Sequence, residues 1–285
     1  AEESRRISGE FIKIDWTQAG TGKEAVVKYF PAGIVSGISP FNFPLNLAIH
    51  KITPAVAAGC PIILKPSRNT PLSMLFMAQL INECGLPEGA LSVLPLDREC
   101  GNQMVTDPRF AVLTFTGSPE VGWQMKTDAG KKKVVLELGG KSPTIVAADA
   151  ALEVAARRIA WAKCLNTGQT CIAPDYVLVE ASVAEELAAR IVNAMERFYT
   201  ATPVSSPDLG RIINHQHFDR LTRLAESAGG TMLCGGTNDR ETKFFAPTVI
   251  LNPDLDSPLM QEEIFGPILP VIAVNDVNTA IEMVN

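Results

Sequence analysis

From residue 33 onward the chain alternates short apolar runs of strand length with helical stretches, which leaves few folds open to it. Gly33-Ile34-Val35-Ser36-Gly37-Ile38 reads as a buried strand, residues 45–59 as a helix, and Pro61-Ile62-Ile63-Leu64-Lys65 as a second strand. Thr70 is placed to cap a further helix, with Pro71 at its first position, apolar Leu72, Leu75, Phe76 and Leu80 within it, and Gly85 just past its end. Leu91–Leu94, Ala111–Phe115 and Val134–Leu138 read as further strands. Strands and helices in this order pack as a parallel sheet covered on both faces. A second α/β unit is expected from near Gly139, with helices over Leu152–Cys164 and Val183–Phe198 and a strand over Tyr176–Glu180. A helix near Phe218–Ser227 and strands at Thr231–Leu233 and Ile268–Val274 follow. Ahead of both units, apolar and polar residues alternate around Gly20-Thr21-Gly22, which suggests a hairpin with an irregular turn over residues 10–30.

Composition narrows the function classes. With 46% hydrophobic and 20% charged residues, the 285-residue chain reads as globular, and a net charge of −6 argues against a nucleic-acid partner. The Lys131-Lys132-Lys133 run is too small a patch to reverse that, and reads as a solvated helix-to-strand junction. No apolar run approaches the roughly 18–20 residues that span a bilayer, so no membrane segment is expected. Six scattered cysteines without paired spacing fit reduced thiols. The amino terminus shows no charged region followed by an apolar core, and a cytoplasmic address is the expectation. His215 and His217 stand without a third ligand nearby, so no metal is expected.

Two residues carry reactive chemistry. Cys171 follows Asn166-Thr167-Gly168-Gln169-Thr170, a turn that could expose the sulfur and aim backbone N–H groups, whereas Cys60, Cys84 and Cys164 lie in or at the ends of helices. A thiol attacks a carbonyl only as thiolate, so access and environment decide which cysteine acts. Glu137 ends the apolar strand Val134–Leu138, where a carboxylate is costly unless functional or paired.

Together with Ser39-Pro40-Phe41-Asn42-Phe43-Pro44, Leu64-Lys65-Pro66-Ser67, Leu136-Glu137-Leu138-Gly139-Gly140-Lys141 and Glu262-Glu263-Ile264-Phe265-Gly266-Pro267, these residues resemble the aldehyde dehydrogenase superfamily over nearly the whole chain and in the same order. The resemblance implies an α/β fold in which a hairpin of oligomerisation type (1–30) precedes a Rossmann-like, parallel-sheet NAD(P)-binding domain (31–138) and an α/β catalytic domain (139–285). It implies oxidation of a small-molecule aldehyde to a carboxylic acid, with Cys171 as nucleophile, the Asn42 amide as donor to the developing oxyanion, and Glu137 as base for hydrolysis of the thioester. For the cofactor, it implies Ser39, Pro40, Phe41 and Asn42, Lys65 on the adenosine ribose with Ser67 and Arg68 beside it, and Gly117, Ser118 and Val121 at the pyrophosphate turn. Leu138, Gly139, Glu263 on the nicotinamide ribose and Phe265 complete that set. Glu262 is expected to be structural.

Three departures from the family pattern bear on function. Arg68 stands where NAD-preferring relatives often carry a Glu, so Ser67 and Arg68 could accept a 2′-phosphate and the cofactor is NAD or NADP. Residues up to about 138 resemble bacterial-type members, and those from Leu138-Gly139-Gly140-Lys141-Ser142-Pro143 onward the fatty and aromatic aldehyde branch. Family members also extend beyond both ends, which leaves homo-oligomer formation an expectation for a longer parent. Leu45 and Trp161 hint at an apolar aldehyde. A semialdehyde-specific or acylating relative and a catalytically silent nucleotide-binding fragment remain open, although Glu137 speaks against acyl transfer.

Overall fold

A computed structural model describes residues 2–200 and 202–285, which separate into two compact units, residues 1–138 and 139–285. In the first unit, strands β1 (Glu10–Lys13) and β2 (Glu24–Val27) pair antiparallel, Phe11 opposite Val26, as a two-stranded hairpin. Then come β3 (Ile34–Ile38), α1 (Asn46–Ala57), β4 (Ile62–Lys65), α2 (Leu72–Glu83), β5 (Leu91–Val93), α3 (Arg98–Thr106), β6 (Phe110–Gly117), α4 (Pro119–Asp128) and β7 (Lys133–Leu138). The last five of these strands form one sheet in the order β5-β4-β3-β6-β7, every pair parallel. Two apolar clusters line it. Val35, Ile62 and Leu64 pack with Ala48, Ile52 and Met74 of α1 and α2, while Ile38, Leu113 and Phe115 pack with Val105 of α3 and Ala129 at the end of α4. Alternate residues of each strand thus face opposite layers, as a sheet covered on both sides requires.

The order of strands places functional turns at one end. The sheet reverses direction of winding at β3, between β4 and β6, and ligands of such sheets bind beyond the carboxyl ends of the strands at that point. Ser39 to Asn42 follow β3 there, Lys65 ends β4, and Gly117 ends β6.

The expected cap of α2 is not formed. The Thr70 hydroxyl donates to the Phe41 carbonyl at 3.3 Å instead, and Pro71 precedes the helix without a side-chain cap. That bond ties the loop after β4 to the loop after β3. Helix α3 escaped the sequence reading because its apolar stripe is short, although Asp97 caps it by accepting the Cys100 N–H at 2.8 Å.

The second unit comprises β8 (Pro143–Val146), α5 (Leu152–Cys164), β9 (Tyr176–Glu180), α6 (Ala184–Tyr199), α7 (His215–Glu226), β10 (Thr231–Cys234), the short pair β11 (Asn238–Asp239) and β12 (Phe244–Phe245), β13 (Thr248–Leu251), α8 (Pro258–Gln261), β14 (Ile268–Val274) and α9 (Val277–Val284). Its main sheet runs β10-β13-β14-β9-β8, parallel except for the antiparallel edge strand β10. Val177 and Val179 of β9 pack in one core with α5 and α6, and Tyr176 and Leu178 in another with α9. Burial on both faces explains why β9 and β14 read as continuous apolar runs.

Candidate active site

In the first unit Glu137 is exposed, its side chain 49% accessible, so the burial cost that drew attention to it in the sequence is not there. It is paired instead. The Thr116 hydroxyl donates to Glu137 Oε2 at 2.7 Å, and the same hydroxyl accepts from Lys51 Nζ at 2.6 Å. Lys51 Nζ also reaches Thr114 Oγ1 at 3.3 Å and lies 3.9 Å from Glu137 Oε2. Strand register builds this array, because Thr116 of β6 stands opposite Glu137 of β7, while Lys51 comes up from α1. Burial lowers the Lys51 pKa to about 8 against the opposing pull of Glu137. Lys51 and Thr116 were not singled out in the sequence. A lysine between His50 and Ile52, in a helix that also carries Leu47, Ala48 and Ile49, was the available signal.

Asn42 is buried in the loop after β3, and Ser39 is buried with its hydroxyl unbonded among the described residues. Lys65 lies along α3, where a Cβ on Gly101 would meet its Cε at 2.8 Å, so glycine there admits the lysine stem. Burial lowers the Lys65 pKa, as does neighbouring Arg68, while Asp97 raises it. Arg68 is exposed, and Ser67 Oγ accepts the Asn69 N–H at 3.3 Å. Gly117 closes β6 and Ser118 precedes α4 with no side-chain cap bond, leaving first-turn N–H groups directed at the positively polarised end of the helix. A Cβ at Gly122 would strike Leu138 and Phe115, so glycine lets α4 approach the sheet closely. Val121 is exposed on the first turn of α4.

In the second unit, Cys171 is half-buried in a loop of unusual backbone. Asn166, Thr167 and Gly168 all adopt positive φ, at 52°, 56° and 73°. Two of the three are not glycine, and such a run persists only where its surroundings hold it. Gln169 supplies the hold. Its Nε2 donates to the Asn166 and Arg211 carbonyls, each at 3.1 Å, and its Oε1 accepts the Ile213 N–H at 2.9 Å. Exposure alone does not single out Cys171, since Cys84 and Cys100 are more exposed; Cys84 donates to the Leu80 carbonyl, and the Cys100 thiol is pushed up by its bond to Asp97. What sets Cys171 apart is the stapled turn before it.

A charged cluster surrounds the segment after α8. Lys141 Nζ donates to Asp175 Oδ2 at 2.6 Å and to the Leu259 and Glu262 carbonyls at 2.9 and 2.8 Å, while Asp175 Oδ1 accepts the Ile264 N–H at 3.0 Å. Arg220 of α7 donates to the Glu263 and Ile264 carbonyls, at 2.9 and 2.5 Å. Glu262 pairs with Arg223 at 3.2 Å. The Glu263 carboxylate lies where a Cβ on Gly139 would be and accepts the Gly140 N–H. Burial raises its pKa, Gly140 lowers it, Asp175 raises it, and Arg220 and Lys163 lower it. Phe265 sits at φ 46°, held between this cluster and Gly266, whose missing side chain leaves room for Leu221.

A five-stranded parallel sheet with an uncapped helix start after a glycine turn places the chain in the Rossmann-like nucleotide-binding class. The chain belongs to the aldehyde dehydrogenase family, whose model matches residues 1–285. It is 40% identical over 263 residues to aldehyde dehydrogenase family 3 member B3 of Mus musculus, covering 92% of this chain and 54% of that protein. Over 260 residues it is 40% identical to the dimeric NADP-preferring aldehyde dehydrogenase of Rattus norvegicus, covering 90% of this chain and 56% of that one. The structure superposes on NADP-dependent glyceraldehyde-3-phosphate dehydrogenase from Bacillus halodurans, complexed with NADP, with a TM-score of 0.93 and 34% identity, covering 99% of this chain and 60% of that chain. It likewise matches aldehyde dehydrogenase 21 from Physcomitrella patens, in complex with the reaction product succinate, with a TM-score of 0.91 and 38% identity, covering 100% of this chain and 60% of that chain. The chain therefore spans little more than half the length of the relatives it matches. Among the described residues no helix is long and apolar enough to cross a membrane.

Proposed function

We propose that the chain is the nucleotide-binding and thiol-bearing part of an NAD(P)-dependent aldehyde dehydrogenase that releases a free carboxylic acid. The observation that carries this reading is the Lys51–Thr116–Glu137 array, which orients the carboxylate that a base for water requires. Cys171, as thiolate, adds to the aldehyde carbonyl carbon, and the carbonyl oxygen takes up the negative charge that the Asn42 amide and the Cys171 N–H stabilise. NAD(P)+, held by the residues named below, would supply the hydride acceptor, and loss of hydride from that carbon would leave a thioester on Cys171. Glu137 then removes a proton from a water that adds to the thioester, and the acid departs as the thiol is restored.

The residues present fit the nucleotide. The uncapped start of α4 after Gly117 suits the pyrophosphate, Lys65 and Arg68 suit the adenosine ribose, and Glu263, pressed on Gly139, suits the ribose on the nicotinamide side. Arg68, two NADP-linked relatives and the absence of an acid at that position together support NADP alongside NAD. Exposed Leu45 and Trp161 support an apolar aldehyde, and the dimeric relative supports a homo-oligomeric parent.

Melting of the 285-residue chain with NAD or NADP, followed by aldehyde-dependent cofactor reduction with parent and Cys171→Ala, tests the reading. Expected are a nucleotide-raised midpoint in both and reduction only in the parent. Reduction that survives without the thiol would sink the mechanism. Nucleotide binding without turnover in the parent would favour the second reading, a silent nucleotide-binding fragment.

A further inference from the structure

The loop that carries Cys171 touches the segment that carries Glu263 and Phe265 on both sides of the thiol. Three residues before it, Gly168 packs against the Gly266–Pro267 peptide. A Cβ on Gly168 would overlap the Gly266 carbonyl and stand 3.0 Å from Pro267 N, and its φ is 73°. Both facts reserve the position for glycine. Four residues after the thiol, buried Asp175 accepts the Ile264 N–H through Oδ1 at 3.0 Å. Cys171 is thus bracketed by contacts to residues 264–267.

Both stretches carry backbone that needs outside support. On the thiol side Asn166 and Thr167 are left-handed, and the buried Thr167 hydroxyl has no hydrogen-bond partner among the described residues. On the other side Phe265 is left-handed at φ 46°. The chain leading to it is gripped by its carbonyls, those of Leu259 and Glu262 by Lys141 and those of Glu263 and Ile264 by Arg220. Non-glycine residues persist in that region only where neighbours fix them, and here each stretch is a neighbour of the other. Gly266 sets their spacing. It lacks a side chain where Leu221 of α7 presses, and a Cβ there would lie 2.7 Å from Leu221 Cδ1.

We propose that Gly266 is a positioning residue: by seating residues 264–267 between Leu221 and Gly168, it sets the Cys171 turn, so that thiol reactivity follows the segment bearing Glu263 and Phe265. This rests on Cys171 being the nucleophile and on that segment meeting the nicotinamide half of the cofactor. Seating the nicotinamide half and presenting the thiol are then one coupled event, although neither glycine touches the reacting atoms.

The test is site-resolved alkylation by iodoacetamide of the intact 285-residue chain, without nucleotide, between pH 6 and 10. It compares the parent, Gly266→Ala, Leu221→Ala and the double variant, with exposed Cys84 and Cys100 as internal references. Gly266→Ala, whose methyl must displace the segment, is expected to slow Cys171 roughly five- to tenfold at pH 7 and to move its pH profile upward, with the reference thiols unchanged. Leu221→Ala opens the space, so the double variant should return Cys171 to within about twofold of the Leu221→Ala rate. A folded Gly266→Ala that alkylates Cys171 like the parent overturns the proposal, and so does a folded double variant as slow as Gly266→Ala. If Gly266→Ala fails to fold, native-state hydrogen exchange of the parent decides. The Gln169 and Ala173 amides, bonded to the Asn166 and Thr170 carbonyls, should open together with the Ile264 amide, and separate openings overturn the coupling. A parent that binds neither NAD nor NADP overturns the nucleotide reading itself, a separate result.

Discussion

Among the described residues each unit buries a lysine amine, and the two are treated oppositely. Lys51 meets two threonine hydroxyls and lies 3.9 Å from a carboxylate, whereas Lys163 meets no acceptor. Burial brings both to a pKa of about 8. The same desolvation thus serves two arrangements. In the first, a hydroxyl bridges the amine and Glu137 by two hydrogen bonds, so geometry matters; in the second, no hydrogen bond offsets the burial of the charge.

The largest effect is expected at the end of the contact chain. Glu137→Gln should cut steady-state turnover by roughly 10²- to 10⁴-fold while a burst of about one equivalent of reduced cofactor survives, because hydride transfer precedes hydrolysis. Pre-steady-state absorbance reads both phases, and undiminished turnover would remove Glu137 as the base. Next comes Asp175→Ala, which strips Lys141 of its carboxylate and the Ile264 N–H of its acceptor. It should cost about 3–5 kcal/mol in denaturant unfolding, the scale for breaking a buried pair, and a change below about 1 kcal/mol would contradict a stabilising Lys141–Asp175–Ile264 linkage.

Thr116→Val removes the shorter of the two hydroxyl contacts of Lys51, leaving Thr114 at 3.3 Å, without changing side-chain shape. We expect the hydrolysis rate to fall roughly tenfold, with binding of NAD unchanged. An unaltered rate would mean the hydroxyl contact is incidental. The pH dependence of stability sharpens the contrast further. A lysine whose folded pKa is about 8 and unfolded value 10.5 binds fewer protons folded than unfolded between those limits, so stability rises with pH across that window. Lys163→Met should remove its share of the rise, so that midpoint-against-pH curves of parent and variant differ in slope between pH 8 and 10.5 and run parallel below pH 8. Smallest is Arg68→Ala, expected to weaken NADP several-fold relative to NAD, by titration of each nucleotide; equal weakening of both would place Arg68 away from the 2′ position.

Much of the framework was legible because strands buried on both faces leave apolar runs that a single sequence displays. Helix α5 over Leu152–Cys164 and strand β9 over Tyr176–Glu180 fall on the residues expected of them. Strand β13 and helices α3 and α9 were not read, since Thr248–Leu251 is short and the stripes of α3 and α9 span barely two turns. At the candidate site, residue types were readable and partnerships were not. Glu137 drew notice for a burial it does not have, while its real support, Thr116 across the strand pair and Lys51 from a helix some 65 residues earlier, depends on register. Thr70 shows the same limit, since a capping residue in sequence became a tie between two loops in the fold.

The Gln169 staple has a consequence for mutational tolerance. Its amide nitrogen faces two carbonyls and its oxygen one N–H, so a glutamate of identical outline would set a carboxylate oxygen against the Asn166 and Arg211 carbonyls. Position 169 should therefore reject its closest isostere about as firmly as it rejects alanine. Variation at Arg211 and Ile213, which offer only backbone to the staple, should pass with far less selection against it.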